Sequence, residues 1–212
     1  FQQSLDRAAD PMRFAPPTIV AGSAHCAAIE EQAEQREGAK LIVEPAAKNT
    51  APAIALAAHS LPPEAIMLVC PSDHHIANVQ AFCAGVEDAA SLAAQDNMVA
   101  FGIEPNGPET GYGYIRKGAP LGPGNRVDRF VEKPDLATAE QLLATGEYVW
   151  NGGIFAFRAG AYLSELAQHR PAMAAHAADA WQRATRQGWQ IHPDADAFAA
   201  IDGESVDYAV ME

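Results

Sequence analysis

The segment Ile66-Met67-Leu68-Val69-Cys70 is apolar at every position and stops at Pro71-Ser72-Asp73. A strand without a polar face must be covered on both sides, which calls for helices above and below a mostly parallel sheet. The first two thirds of the chain repeat this pattern. Thr18-Ile19-Val20 and Leu41-Ile42-Val43 read as short buried strands, and Val99-Ala100-Phe101 as another. Residues 25–36 and 78–94 have helical spacing. Asn49-Thr50, ahead of Pro52 and an alanine-rich stretch to Ser60, reads as a capped helix with proline in its first turn. This alternation predicts an α/β fold.

After Gly102 the texture changes. Gly and Pro punctuate residues 103–123. Shorter strands are expected at 113–116 and 127–132, with a loop tip at 121–125. A helix is expected at 138–145, ended by Gly146. Residues 148–157 read as a strand pair, or as one strand broken at Gly152-Gly153. Helices are expected at 159–169 and at 172–187, the second with Pro171 at its start. A chain of 212 residues suits one domain, and no boundary is expected within 1–212.

Fourteen basic residues stand against 27 acidic, a net charge of −13. That disfavours nucleic acid and anionic membranes as partners. A nucleotide site on such a chain needs local cations or Mg²⁺. The lysines are Lys40, Lys48, Lys117 and Lys133, and two of these four, Lys48 and Lys133, fall inside motif-like segments. Cys26, Cys70 and Cys83 form no CxxC pair, which argues for reduced thiols and a cytoplasmic setting. The first residue is Phe1 and the last Glu212, and both ends read as cut from a longer parent.

Several segments carry chemistry. Pro71-Ser72-Asp73-His74-His75 sits where the best strand ends, the place where ligands gather in parallel α/β sheets. A carboxylate there is a natural Mg²⁺ ligand; the plainer reading is that Asp73 caps the next helix. Adjacent histidines diverge and lack further ligands at spacing, so zinc is not expected. Glu44 to Pro52 is again a strand end leading into a helix, whose amides can bind phosphate or the edge of a base. Capping by Asn49 or Thr50 fits the same segment. Gly111-Tyr112-Gly113 permits close backbone approach, either to a ligand or in a tight turn. Glu132-Lys133 pairs an acceptor for sugar hydroxyls with a compact cation for a phosphate. Asn151 either binds sugar hydroxyls or holds a turn before Gly152-Gly153. Asp207 opens the last helical pattern.

Taken in order, EPAAKNTAPAIALAA, PSDHH, FGIEPNGPETGYGYI, VDRFVEKPD, YVWNGGIFAFR and SVDYAVME resemble the bacterial mannose-1-phosphate guanylyltransferases, sugar-nucleotide pyrophosphorylases of the nucleotidyltransferase superfamily. The resemblance implies a Rossmann-like α/β/α sandwich, GT-A-like, with a mainly parallel mixed sheet. It implies transfer of GMP from GTP to mannose 1-phosphate, giving GDP-mannose and pyrophosphate for polysaccharide biosynthesis. By the same resemblance Asp73 holds Mg²⁺. Glu44, Lys48, Asn49, Thr50, Pro71 and Ser72 lie at the nucleotide. Tyr112, Gly113, Glu132, Lys133 and Asn151 lie at the sugar phosphate, with Asp73 and Lys133 catalytic and converging on it.

The family's glycine-rich triphosphate loop and a second metal-binding aspartate have no counterpart between Phe1 and Glu212. The resemblance therefore implies an open sheet edge and impaired catalysis by this piece. Lys48, Ser72 and Gly152 depart from the family's usual arginine, alanine and serine. The alternatives are another NDP-hexose pyrophosphorylase, using UTP or dTTP with glucose 1-phosphate, and a non-catalytic nucleotide-sugar-binding module. A homodimer is compatible with any of these.

Overall fold

The computed structural model describes residues 1–33 and 36–211. The chain groups into two compact units. One comprises Phe1–Ala65, Ser72–Ala77 and Arg158–Glu212; the other comprises Ile66–Pro71 and Asn78–Phe157.

The first unit is built on β2 (Lys40–Glu44), whose Leu41, Ile42 and Val43 are all buried. A strand with both faces apolar needs a partner on each edge and cover above and below. It gains β1 (Thr18–Gly22) on one edge in a parallel register that runs from Thr18 opposite Lys40 to Gly22 opposite Glu44. On its other edge lies β9 (Gln190–His192), also parallel, which forms an antiparallel hairpin with β8 (Thr185–Gln187). Leu41 and Val43 pack with Leu5 of α1 (Gln2–Arg7), Ile19, and Ile29 and Ala33 of α2 (Cys26–Ala33). The expected helix at 25–36 matches α2 as far as Ala33; its residues 34 and 35 lie outside the described residues.

The capped helix appears as α3 (Thr50–His59), with the Asn49 side chain accepting from the Thr50 amide. Seven of its ten residues are buried, because it packs against both α6 (Ala159–His169) and α7 (Pro171–Gln182). Small alanine side chains permit that double contact. The Tyr162 hydroxyl of α6 donates to the Ala51 carbonyl at 2.8 Å, satisfying a buried phenol.

The second unit holds a five-stranded sheet. Its path runs β3 (Ile66–Val69), β7 (Tyr148–Arg158), β5 (Tyr114–Leu121), β6 (Gly124–Val131), and β4 (Val99–Ile103) also pairs with β7. Two helices belong to it: α4 (Val79–Ala93), capped by Asn78, and α5 (Leu136–Ala144), capped by Asp135. Leu68, Val99, Phe101 and Ala156 pack with Ala89 and Ala93 of α4.

The α/β class is as expected, with a mixed pairing pattern. The described registers are parallel for β1–β2 and β2–β9 and antiparallel for β4–β7, β5–β6, β5–β7 and β8–β9. Parallel neighbours need a crossover of a dozen or more residues, and a two-residue turn such as Gly122-Pro123 between β5 and β6 leaves room only for a hairpin.

Three expectations are corrected and one is resolved. β3, read as a strand buried on both faces, is the end of its sheet: Ile66 is 42% exposed and only Met67 is buried. β7 is one strand and not a pair, and the expected break at Gly152-Gly153 appears as a bulge: between the Ala100–Phe155 and Gly102–Asn151 pairs β7 carries two more residues than β4. The helix expected to reach residue 187 stops at Gln182, because Ile191 gains more as a buried partner of β2. Asp73 does not cap α4; Asn78 does, accepting from the Ala81 amide at 2.9 Å. The three cysteines are free thiols. Among the described residues no helix is long and apolar enough to cross a membrane.

Leu41 is fully buried at the centre of the first unit. Leu41→Ala should destabilise the fold by about 2–5 kcal/mol. In urea unfolding the midpoint should fall with an unchanged slope. An unmoved midpoint would show that β2 does not hold this core.

Candidate functional site

In the first unit, β2 leads the chain directly from Leu41, Ile42 and Val43 to Glu44. Glu44, Pro45, Ala46 and Ala47 border a cavity of about 720 Å³ together with β1, His25 and Ser72. The Glu44 Oε1 atom is buried and has no hydrogen-bond partner among the described residues. Burial pushes its carboxyl from 4.5 up to about 7. An acid in this state is a sensitive acceptor for any donor that enters the cavity.

The loop carrying Ser72 and Asp73 is pinned by α1 on both sides of the aspartate. The Ser4 hydroxyl donates to the Ser72 carbonyl at 3.1 Å, and Arg7 Nη1 donates to the His74 carbonyl at 3.3 Å. The Asp73 carboxylate between these anchors is exposed. Ser4 and Arg7 were not singled out from the sequence; their bonds span 68 and 67 residues, and no local pattern announces them. Pro71 belongs to the second unit, Ser72 and Asp73 to the first. No group of three or more potential metal-ligating side chains occurs among the described residues. One carboxylate plus phosphate oxygens is, however, a common Mg²⁺ environment, and Asp73 fits that role.

Lys48, Asn49 and Thr50 are engaged within the fold. Lys48 Nζ donates to the Ala199 carbonyl at 2.9 Å. Asn49 adopts φ 68° and accepts from the Thr50 amide. The Thr50 hydroxyl oxygen accepts from the Val206 amide at 2.9 Å. The helix-capping reading of Asn49 therefore holds.

In the second unit the five residues assigned to the sugar phosphate gather at one place. Gly113 lies where β5 begins and Asn151 lies on β7 beside it, with the Asn151 amide donating to the Gly113 carbonyl at 2.7 Å. A Cβ at Gly113 would stand 2.6 Å from Glu132 Oε2 and 3.3 Å from Asn151 Cβ. The glycine thus leaves room for the Glu132 carboxylate to lie over the start of β5, a contact between segments far apart in the chain. Glu132 follows β6 and its side chain is only 9% exposed. Lys133 Nζ sits 3.1 Å from Glu132 Oε1, while its own side chain is 62% exposed. Lys133 is also one of few non-glycine residues with positive φ, at 42°, and it precedes Pro134, a combination sparsely populated in proteins. Such strain clusters at functional sites.

Tyr112 stacks edge-on to Trp150, with ring centroids 5.2 Å apart. Trp150 Nε1 is buried with no hydrogen-bond partner among the described residues. From the sequence Trp150 reads only as part of an aromatic strand, and its place beside Tyr112 depends on the fold. Asn151 Oδ1 accepts from the Gly153 amide at 3.1 Å, so it also holds the bulge of β7. The cluster thus combines a paired carboxylate, an exposed ammonium, an aromatic wall and an amide, the groups a phosphorylated sugar needs.

Comparison with known proteins bears on this arrangement. The family model described as nucleotidyl transferase matches residues 2–195. The chain belongs to the nucleotidyl transferase family. It is 46% identical over 207 residues to the xanthan biosynthesis protein XanB of Xanthomonas campestris, covering 95% of this chain and 44% of that protein. It is 44% identical over 209 residues to a mannose-1-phosphate guanylyltransferase of Escherichia coli, covering 92% of this chain and 44% of that enzyme. The chain thus spans under half the length of these relatives. Among solved structures, one named mannose-6-phosphate isomerase, from Helicobacter pylori, superposes with a TM-score of 0.91 at 29% identity, covering 100% of this chain and 83% of that one.

The raised carboxyl of Glu44 sets a pH dependence. The folded state holds its proton up to about pH 7, whereas the unfolded chain releases it near 4.5. Ionisation therefore costs stability as pH rises through that window, and the cost is fully present above it. Glu44→Gln should match wild type below about pH 4.5 and melt higher than wild type above about pH 7. A difference that does not vary with pH, in melting curves from pH 4 to 8, would exclude Glu44 as the cause.

Proposed function

We propose that this protein transfers GMP from GTP to mannose 1-phosphate, giving GDP-mannose and pyrophosphate. The observation that carries the reading is the convergence of Gly113, Glu132, Lys133 and Asn151 in the second unit, in a chain related to a mannose-1-phosphate guanylyltransferase. Glu132 and Asn151 take sugar hydroxyls. Lys133 neutralises the sugar phosphate, and Tyr112 with Trp150 forms an apolar wall for the ring. Glu44, with Lys48, Asn49, Thr50, Pro71 and Ser72, borders the nucleotide.

Guanine presents two adjacent donors, N1–H and the N2 amino group. An ionised Glu44 accepts from both, whereas adenine offers no such pair, so a buried acceptor there favours guanine. Mg²⁺ held by Asp73 would supply charge neutralisation at the phosphates. An oxygen of mannose 1-phosphate attacks the α-phosphorus in line, and the bond to the departing pyrophosphate breaks. The nucleophile is already an anion, so no general base is required. What the residues contribute is positioning and electrostatic stabilisation. A setting rich in GTP, the cytoplasm, matches the free thiols of Cys26, Cys70 and Cys83.

Pyrophosphate release by the full-length protein should be fastest with GTP and mannose 1-phosphate, in a panel that includes UTP and dTTP with glucose 1-phosphate. Preference for UTP or dTTP would replace this reading with that of another sugar-nucleotide pyrophosphorylase; binding of GDP-mannose without turnover would make it a binding module. Lys133→Ala should lower kcat/KM by about 10²–10³. Lys133→Arg should recover little of it, because a planar fork does not reproduce a compact ammonium. Wild-type rates in Lys133→Ala would remove Lys133 from the mechanism.

A further inference from the structure

The turn before α3 is stitched to a segment about 150 residues further along the chain. The Ala51 amide donates to the Glu204 carbonyl at 3.1 Å, and the Val206 amide donates to the Thr50 hydroxyl oxygen at 2.9 Å. Lys48 Nζ reaches the Ala199 carbonyl at 2.9 Å, at the end of α8 (Ala195–Ala199). A Cβ on Gly203 would stand 2.9 Å from the Lys48 carbonyl oxygen, so only glycine lets the two backbones lie this close.

Residues 199–208 therefore form a strap across residues 48–51. The strap is anchored from its far side. Arg170, at the joint between α6 and α7, holds the Glu204 carboxylate with two nitrogens, at 2.5 and 2.9 Å. Its Nη2 also donates to the Tyr208 carbonyl at 3.0 Å. The hydrogen bond from Arg170 holds the Glu204 carboxyl below its ordinary range.

This pair is a poor source of stability. Its side chains are 38% and 29% exposed, and exposed ion pairs contribute little. A two-nitrogen fork does, however, fix geometry. Lys48 is likewise committed: an ammonium bonded to the Ala199 carbonyl must give up that bond to reach a phosphate.

We propose that residues 199–208 are a positioning strap for the nucleotide-binding turn. Lys48 and Thr50 serve the strap through their side chains and do not contact phosphates, and Arg170 is the positioning residue that holds the strap in place. The inference rests on the assignment of the 44–50 turn to the nucleotide.

The two roles for Lys48 predict different behaviour toward GTP, GDP and GMP. A phosphate ligand loses most with GTP and least with GMP. A strap residue loses the same factor with all three, because the whole turn shifts. In titration calorimetry on the full-length protein with Mg²⁺, Lys48→Met and Arg170→Ala should each weaken all three nucleotides alike, by about five- to ten-fold. Arg170→Lys should restore part of the loss. In steady-state assays KM for GTP should rise while KM for mannose 1-phosphate stays put, with melting midpoints near wild type. Glu204→Gln carries the same expectation should Arg170→Ala not fold. A loss graded by phosphate number in Lys48→Met would make Lys48 a phosphate ligand and overturn the proposal. So would unchanged affinities in Arg170→Ala and Glu204→Gln. Failure of the wild-type protein to bind any of the three nucleotides would instead sink the nucleotide assignment itself, and the strap's role with it.

Discussion

Burial of Leu41, Ile42 and Val43 is the constraint on which the first unit depends. Three consecutive apolar residues that are all buried need cover on both faces of the strand, because apolar surface left in water is unfavourable. They are accommodated by β1 and β9 on either side and by helices above and below. The next residue along, Glu44, is thereby held at the end of the strand, half out of the core and beside a cavity. The same burial that stabilises the strand raises the carboxyl that follows it. Stability and site chemistry are linked here through one backbone direction.

The second unit uses a different device. Its cluster comes from adjacent antiparallel strands, so Gly113 and Asn151 are neighbours by register, with Tyr114 opposite Trp150. Removing one side chain, at Gly113, makes room for a carboxylate, which in turn neutralises and orients a lysine. On a chain of net charge −13 with four lysines, a cation held in this way is a scarce resource. The strained backbone at Lys133 fits the same view, since a residue in the left-handed region is kept there only where the surroundings overdetermine it. Lys48 is handled in the opposite way, with its charge turned to a carbonyl of the fold.

Local features were legible in the sequence wherever one segment carried the whole reason. The Asn49 cap, the strands at 18–20, 41–43 and 99–101 and the helix after Asn78 are each marked by the residue types of one short segment. The order of motifs also pointed to the family. Contacts that join distant segments were not legible. No pattern near Thr185 or Gln190 shows that β9 will complete the edge of β2, because that gain belongs to Ile42 and Ile191 together. The apolar run at 66–70 looked central because periodicity reports hydrophobicity and not position in a sheet.

The sequence by itself determined the α/β class, the helix caps and the identity of the chemical groups, since each depends on side-chain type and short-range spacing. Tertiary structure alone decided which of those groups are free to act. Glu132 lies over Gly113, and Lys48 and Thr50 face the strap because Ala199 and Val206 arrive there. The physical reason is that hydrogen bonding and steric exclusion act at a few ångströms in space, and only the folded backbone sets which residues come that close.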